Sequence, residues 1–78
     1  MVKSMKKNRL LVCFGNRVRD LREAAELSQE AFADLCELDR TYVSGVERGV
    51  RNISLVNIQK IASSLELSLA ELLEGVTS

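Results

Sequence analysis

The sequence has no proline, no histidine and only three aromatic side chains, Phe14, Phe32 and Tyr42, in 78 residues. Without proline, and with glycine at only four positions, little interrupts regular backbone, which favours helices joined by short turns. The absence of histidine and of any Cys-x-x-Cys spacing removes the usual ligand sets of a structural zinc site, and no metal or cofactor is expected. The two cysteines, Cys13 and Cys36, lie in apolar stretches and read as reduced core thiols of a cytosolic protein. Hydrophobic residues still make up 46% of the chain, enough for a modest aliphatic core in one domain. A domain of this length is only marginally stable alone, so pairing with a second copy would help it.

Long hydrophobic runs are also missing. The basic N-terminus begins like a signal peptide, but its apolar stretch, Leu10–Phe14, is followed at once by Arg17, Arg19, Asp20 and Arg22. That is too short for a signal core or a membrane span, and the expected location is the cytoplasm, with no membrane partner. No glycine-rich phosphate loop or defined pair of acids is present, and the chain is expected to be too small to hold a pocket. It therefore reads as neither an enzyme nor a small-molecule binder.

Net charge is zero, but the charge is segregated. Residues 1–22 carry seven basic side chains and one acid, Asp20, whereas residues 23–78 carry four basic and ten acidic ones. From Ile61 onward every charge is acidic: Glu66, Glu71 and Glu74. One end of such a molecule would face a polyanion and the other would face away.

Residues 1–8 read as a flexible basic arm, and 9–78 as the folded domain. Leu10, Leu11, Phe14, Val18, Leu21 and Ala25 recur at spacings of three and four, the apolar face of a first helix over Arg9–Ala25. Four further helix starts share one signature: an apolar residue, then a Ser or Asp cap, then an apolar residue five positions after the first. The sets are Leu27-Ser28 with Phe32, Leu38-Asp39 with Val43, Ile53-Ser54 with Ile58, and Leu67-Ser68 with Leu72. Glu71 completes a capping box with Ser68. The second helix is expected to stop near Cys36 and the third at Gly49. The fourth runs about Leu55–Leu65 with Leu55, Ile58, Ile61, Ala62 and Leu65 inward, and the fifth from Leu69 to about Glu74. The fold class is all-α, a compact five-helix bundle.

A turn of about three residues between the second and third helices forces a steep crossing, a helix-turn-helix, with Ala33 at the contact. Burying Val43 and Val46 turns Arg40, Thr41, Ser44 and Arg48 outward, with Gly45 keeping one strip of that face low. A short helix with an arginine near its start and small polar groups behind it fits a DNA major groove.

The stretch Leu27–Leu55 resembles the Cro/C1-type helix-turn-helix family of phage repressors and bacterial regulators, the lambda-repressor-like DNA-binding fold. Leu27, Ser28-Gln29, Ala33, Val43, Val46, Glu47, Arg48-Gly49 and Asn52 fall in register with it, and the resemblance extends over about Phe14–Leu73. Within that family, L-D-R-T-Y-V-S-G-V-E-R with R-N-I-S-L looks most like the controller proteins of restriction-modification systems. One departure is Glu37, at a turn position often held by glycine, which must then adopt a left-handed backbone.

The resemblance implies a sequence-specific regulator of transcription that binds double-stranded DNA. Arg40 becomes the main base reader, bidentate to guanine, and Thr41, Tyr42 and Ser44 become further contacts to base edges, a thymine methyl or phosphate. Gln29, aided by the positive end of its helix, and Arg48, Arg51 and Asn52 become phosphate contacts. Glu47 is implied to pair internally with Arg22 rather than to touch DNA. Leu69, Leu73 and Val76 form an apolar stripe on the fifth helix, expected to make a two-fold homodimer with Leu72 facing inward. A phage-type repressor, and an antitoxin or protein-interaction module of the same fold, remain alternative readings.

Overall fold

Every helix of the computed structural model, which describes residues 8–77, begins on a polar side chain that takes up free backbone N–H groups. Asn8 accepts from the amides of Leu10 and Leu11 and starts α1 (Arg9–Ala24). Ser28 accepts from Ala31 and starts α2 (Gln29–Cys36), and Asp39 accepts from Thr41 and starts α3 (Arg40–Glu47). Ser54 caps α4 (Leu55–Ser64). Ser68 caps α5 (Leu69–Leu72) in a reciprocal capping box with Glu71. All four caps expected for the later helices are therefore in place. Asn8, assigned to the arm, instead belongs to the first helix, because its short amide satisfies amides that would otherwise lack a partner. The rest of the arm lies outside the described residues.

Three of the links repeat one device. Glu26, Glu37 and Glu66 each take a left-handed backbone, with φ of 61°, 59° and 60°. The leucine after each sends its N–H back to a carbonyl of the last helical turn: Leu27 to Arg22 at 3.2 Å, Leu38 to Ala33 at 2.9 Å and Leu67 to Ala62 at 2.8 Å. Each leucine also packs against the core, and the next residue caps the following helix. A three-residue Glu-Leu-Ser/Asp link thus closes one helix and opens the next. The left-handed Glu37 agrees with expectation; Glu26 and Glu66 repeat it. After α3 the same geometry uses Gly49, at φ 74°.

The core is built from Phe14 and Val18 of α1, Phe32, Ala33 and Cys36 of α2, Val43 and Val46 of α3, Ile61 and Ala62 of α4, and Leu72 of α5. Burying each large aliphatic or aromatic member contributes about 1.5–3 kcal/mol. Two glycines allow α1 to lie directly on the end of α3. A β-carbon on Gly15 would meet the carbonyl of Val46 and come within 2.6 Å of the carbonyl oxygen of Glu47. One on Gly49 would come within 2.7 Å of the Val12 Cα.

Several expectations need correction. Leu55 was expected inward but is 69% exposed, as is Val56 at 67%, because the first turn of α4 projects beyond the core and only Ile58 reaches back to it. Leu10 is exposed, and Cys13 is only half-buried, with Sγ 3.8 Å from the carbonyl of Gly75; Cys36 alone is a core thiol. Ala25 caps α1 rather than continuing its apolar face, and α5 is a single turn ending at Leu72. None of the described helices is long and apolar enough to cross a membrane.

Candidate nucleic-acid interface

At 100° per residue, burying Val43 and Val46 leaves Arg40, Thr41 and Arg48 exposed along α3, with Ser44 half-buried among them. The Asp39 carboxylate accepts from the Thr41 amide and from its hydroxyl. These bonds, the Thr41 side chain's foremost, hold the Asp39 carboxyl below its usual range. The Thr41 hydroxyl is therefore turned toward the cap. Arg48 Nε reaches Ser44 Oγ at 3.5 Å, a long contact that leaves the exposed guanidinium little restrained.

Beneath this face sits a buried acid. The Glu47 carboxylate takes hydrogen bonds from Arg22 Nε at 2.7 Å and Arg22 Nη2 at 3.1 Å, the pairing the family resemblance implied. Arg22 also donates to the Leu27 carbonyl at 2.7 Å, which ties α1 to the start of the helix-turn-helix. Hydrogen bonding to Glu47 raises the Arg22 pKa further, which keeps the guanidinium charged. The third donor to Glu47 is Gln29 Nε2, at 2.9 Å. Gln29, expected as a free phosphate contact, is half-buried and linked to the end of α3. Its reach toward solvent is reduced to its remaining amide N–H and carbonyl.

Tyr42 lies beside the exposed strip. Asn57 Nδ2 donates to its hydroxyl at 3.1 Å, and the Arg51 guanidinium carbon stands 5.1 Å from its ring centroid. The Arg51 stem crosses Gly45, where a β-carbon would be 3.1 Å from Arg51 Cγ. Gly45 therefore does not leave a low open strip; its missing side chain is the space Arg51 occupies. This brings the Arg51 cation against α3, while Asn52 is exposed in the following loop.

The expected dimer stripe is rearranged. Leu72 is fully buried, as anticipated, but Leu69 and Val76 are half-buried against the core of their own chain, and only Leu73 is exposed. With one turn of helix, α5 has too little length to present a stripe of its own. The chain also has a pocket, contrary to expectation. It is an apolar groove of about 420 Å³ between the start of α1, the Asn52-Ile53 loop, Ile58, Leu73 and Val76.

Three positioning residues escaped sequence reasoning. Arg17, which the sequence shows only as a charge following the apolar stretch, donates to the carbonyls of Leu72 at 3.0 Å and Glu71 at 2.7 Å, capping α5 from α1. A lone arginine between Phe14 and Val18 carried no signal beyond its nearness to the apolar face. Gly15 and Asn57 likewise act through tertiary contacts, although an unforced glycine and an asparagine inside helices were visible hints.

Comparison with known proteins agrees with this geometry. The helix-turn-helix family model matches residues 18–72. The control protein C.MunI of Mycoplasma sp is 47% identical over 88% of this chain and 95% of its own length. The control protein C.BamHI of Bacillus amyloliquefaciens is 44% identical over 90% and 88%. Among solved structures, the restriction-modification controller protein C.AhdI from Aeromonas hydrophila superposes with a TM-score of 0.77 at 60% identity, covering 80% of this chain and 94% of that one. The controller protein C.Esp1396I, solved as a tetramer on its natural 35 base-pair operator, superposes with a TM-score of 0.82 at 31% identity, covering 90% and 92%. The chain belongs to the helix-turn-helix family and, within it, to the controller proteins of restriction-modification systems.

Proposed function

We propose that this protein regulates transcription by binding a pseudo-palindromic duplex operator as a homodimer, with α3 in the major groove of each half-site. The observation that carries the reading is the outer face of α3. Exposed Arg40, Thr41 and Arg48 share it, and the buried Arg22–Glu47 pair fixes that helix from behind. Arg40 reads guanine, and Thr41, Tyr42 and Ser44 meet neighbouring base edges. Gln29, Arg48, Arg51 and Asn52 meet phosphates, which sets register and supplies the salt-dependent part of affinity. The activity is binding rather than catalysis, and the cytoplasm is where such an operator would be met.

A single α3 contacts only a few base pairs, so two copies on half-sites one helical turn apart, about 34 Å, roughly double the specific free energy. The exposed apolar side chains favour an interface at Leu73 and the mouth of the groove, extended by Leu55 and Val56 on the first turn of α4. In this arrangement Leu69 and Val76 support the interface from below. Selection from a random duplex pool, followed by gel shift of the enriched sequence and sedimentation of the free protein, tests both halves. An enriched inverted repeat bound by two chains is expected. No enrichment sinks the DNA reading, and a Leu73→Asp variant that still sediments as a dimer sinks the interface.

A further inference from the structure

Asn57 is the third residue of α4, and its backbone N–H is held by the Ser54 cap at 3.1 Å. At the same position in α5, Glu71 folds back onto the amide of its cap, Ser68, at 2.8 Å. Asn57 does not fold back. Its amide reaches across to α3 and donates to the Tyr42 oxygen. Asparagine is a weak helix former, so local propensity gives no reason for it here, whereas the tertiary bond does.

The direction of that bond has a chemical consequence. A phenol carries one proton, and an oxygen that already accepts from an amide directs this proton elsewhere. Among the described residues no acceptor takes it. The ring face carries Arg51, so a hydrogen-bond donor and a cation lie side by side at the edge of α3.

We propose that Asn57 is a positioning residue for DNA recognition: by donating to Tyr42 it makes the phenol a dedicated donor toward an acceptor atom of the duplex, beside the Arg51 guanidinium. This rests on the DNA-binding reading above. Asn57 itself touches no base or phosphate in this arrangement; it acts through the Tyr42 hydroxyl. Losing the amide frees the phenol to rotate and loosens the ring on which Arg51 rests.

A double-mutant cycle tests it. Wild type, Asn57→Ala, Tyr42→Phe and the double variant are titrated on the duplex that wild type enriches from a random pool, and on a scrambled duplex of the same composition. Thermal midpoints are recorded for all four. Each single change is expected to weaken the enriched duplex about three- to tenfold. The double variant should bind within about twofold of Tyr42→Phe alone, a convergence that a merely structural role for Asn57 would not produce. A loss shared by both duplexes assigns the acceptor to phosphate, and one confined to the enriched duplex assigns it to a base edge. Asn57→Asp gives a second, isosteric reading. Its carboxylate takes the phenol proton, so its loss should exceed that of Asn57→Ala and should shrink in the Tyr42→Phe background to the cost of the added charge. Unchanged binding by Asn57→Ala, or equal losses from Asn57→Ala or Asn57→Asp in the two Tyr42 backgrounds, overturns the positioning role alone. A wild type that enriches no sequence overturns the DNA reading and this inference with it.

Discussion

Arg22 and Glu47 meet across the α1–α3 contact through two charge-assisted hydrogen bonds, with the Glu47 side chain only 1% exposed and that of Arg22 11%. Truncating the arginine leaves a buried carboxylate with Gln29 as its remaining side-chain donor. Arg22→Ala should therefore destabilise the fold by about 3 kcal/mol or more, measured by urea unfolding. The paired change Arg22→Met with Glu47→Leu should recover much of the loss, since apolar replacement removes the desolvation cost of both charges. A double variant no more stable than Arg22→Ala would contradict a paired, buried contact.

Gly15 is where α1 touches the last turn of α3 backbone to backbone. A methyl there must push the Val46 and Glu47 carbonyls away, and neither belongs to a flexible side-chain end. Gly15→Ala should cost about 2–3 kcal/mol despite alanine's better helix propensity, lowering the thermal midpoint by roughly 10 °C. A midpoint equal to or above wild type would mean the contact is loose.

Glu37 holds a left-handed backbone that glycine adopts without steric cost. Glu37→Gly should stabilise the fold by about 0.5–1 kcal/mol, the relief of strain exceeding the extra freedom of the unfolded glycine. Calorimetry should show a midpoint several degrees higher. A lower midpoint would indicate that the glutamate side chain contributes more than its backbone costs.

The four later helix starts were legible because one local signature, an apolar residue before a Ser or Asp cap, marks each of them without tertiary help, whereas the Asn8 cap of α1 lacks it. The outer face of α3 follows from periodicity once Val43 and Val46 are buried. The fate of individual side chains around that face was not legible. Gln29, Tyr42 and Arg51 are placed by contacts with Glu47, Asn57 and Gly45, and nothing in their own segments specifies those partners. The exposure of the C-terminal stripe was not legible for a similar reason. The spacing of Leu69, Leu73 and Val76 suits a helix of two turns, but α5 is held to one turn with Arg17 satisfying its last carbonyls.

The Asp39 cap gives a pH signature. Its folded pKa is depressed, chiefly by the Thr41 hydroxyl and then by the Thr41 amide, with Arg40 adding to the effect. The stabilisation is therefore fully present above the unfolded value, about 3.9, and is lost as pH falls through the lower folded value. Asp39→Asn keeps the cap but does not titrate. The difference in thermal midpoint between wild type and Asp39→Asn should be constant above about pH 5 and shift against wild type below about pH 4. A difference independent of pH would show that the carboxylate is not engaged.

Arg40 stands first on α3, where a cation is mildly unfavourable to the helix dipole and gains no ion pair within 4.0 Å among the described residues. Its proposed role as base reader can be measured by titrating wild type and Arg40→Ala on the enriched duplex and on its scrambled counterpart at one fixed salt concentration. If α3 reads sequence in the major groove, Arg40→Ala loses about 1–3 kcal/mol on the enriched duplex, roughly five- to 150-fold, and several-fold less on the scrambled one, with preference relaxed at one base pair per half-site. Equal losses on the two duplexes, or an Arg40→Ala variant with undiminished affinity and unchanged base preference, would contradict sequence reading by this helix.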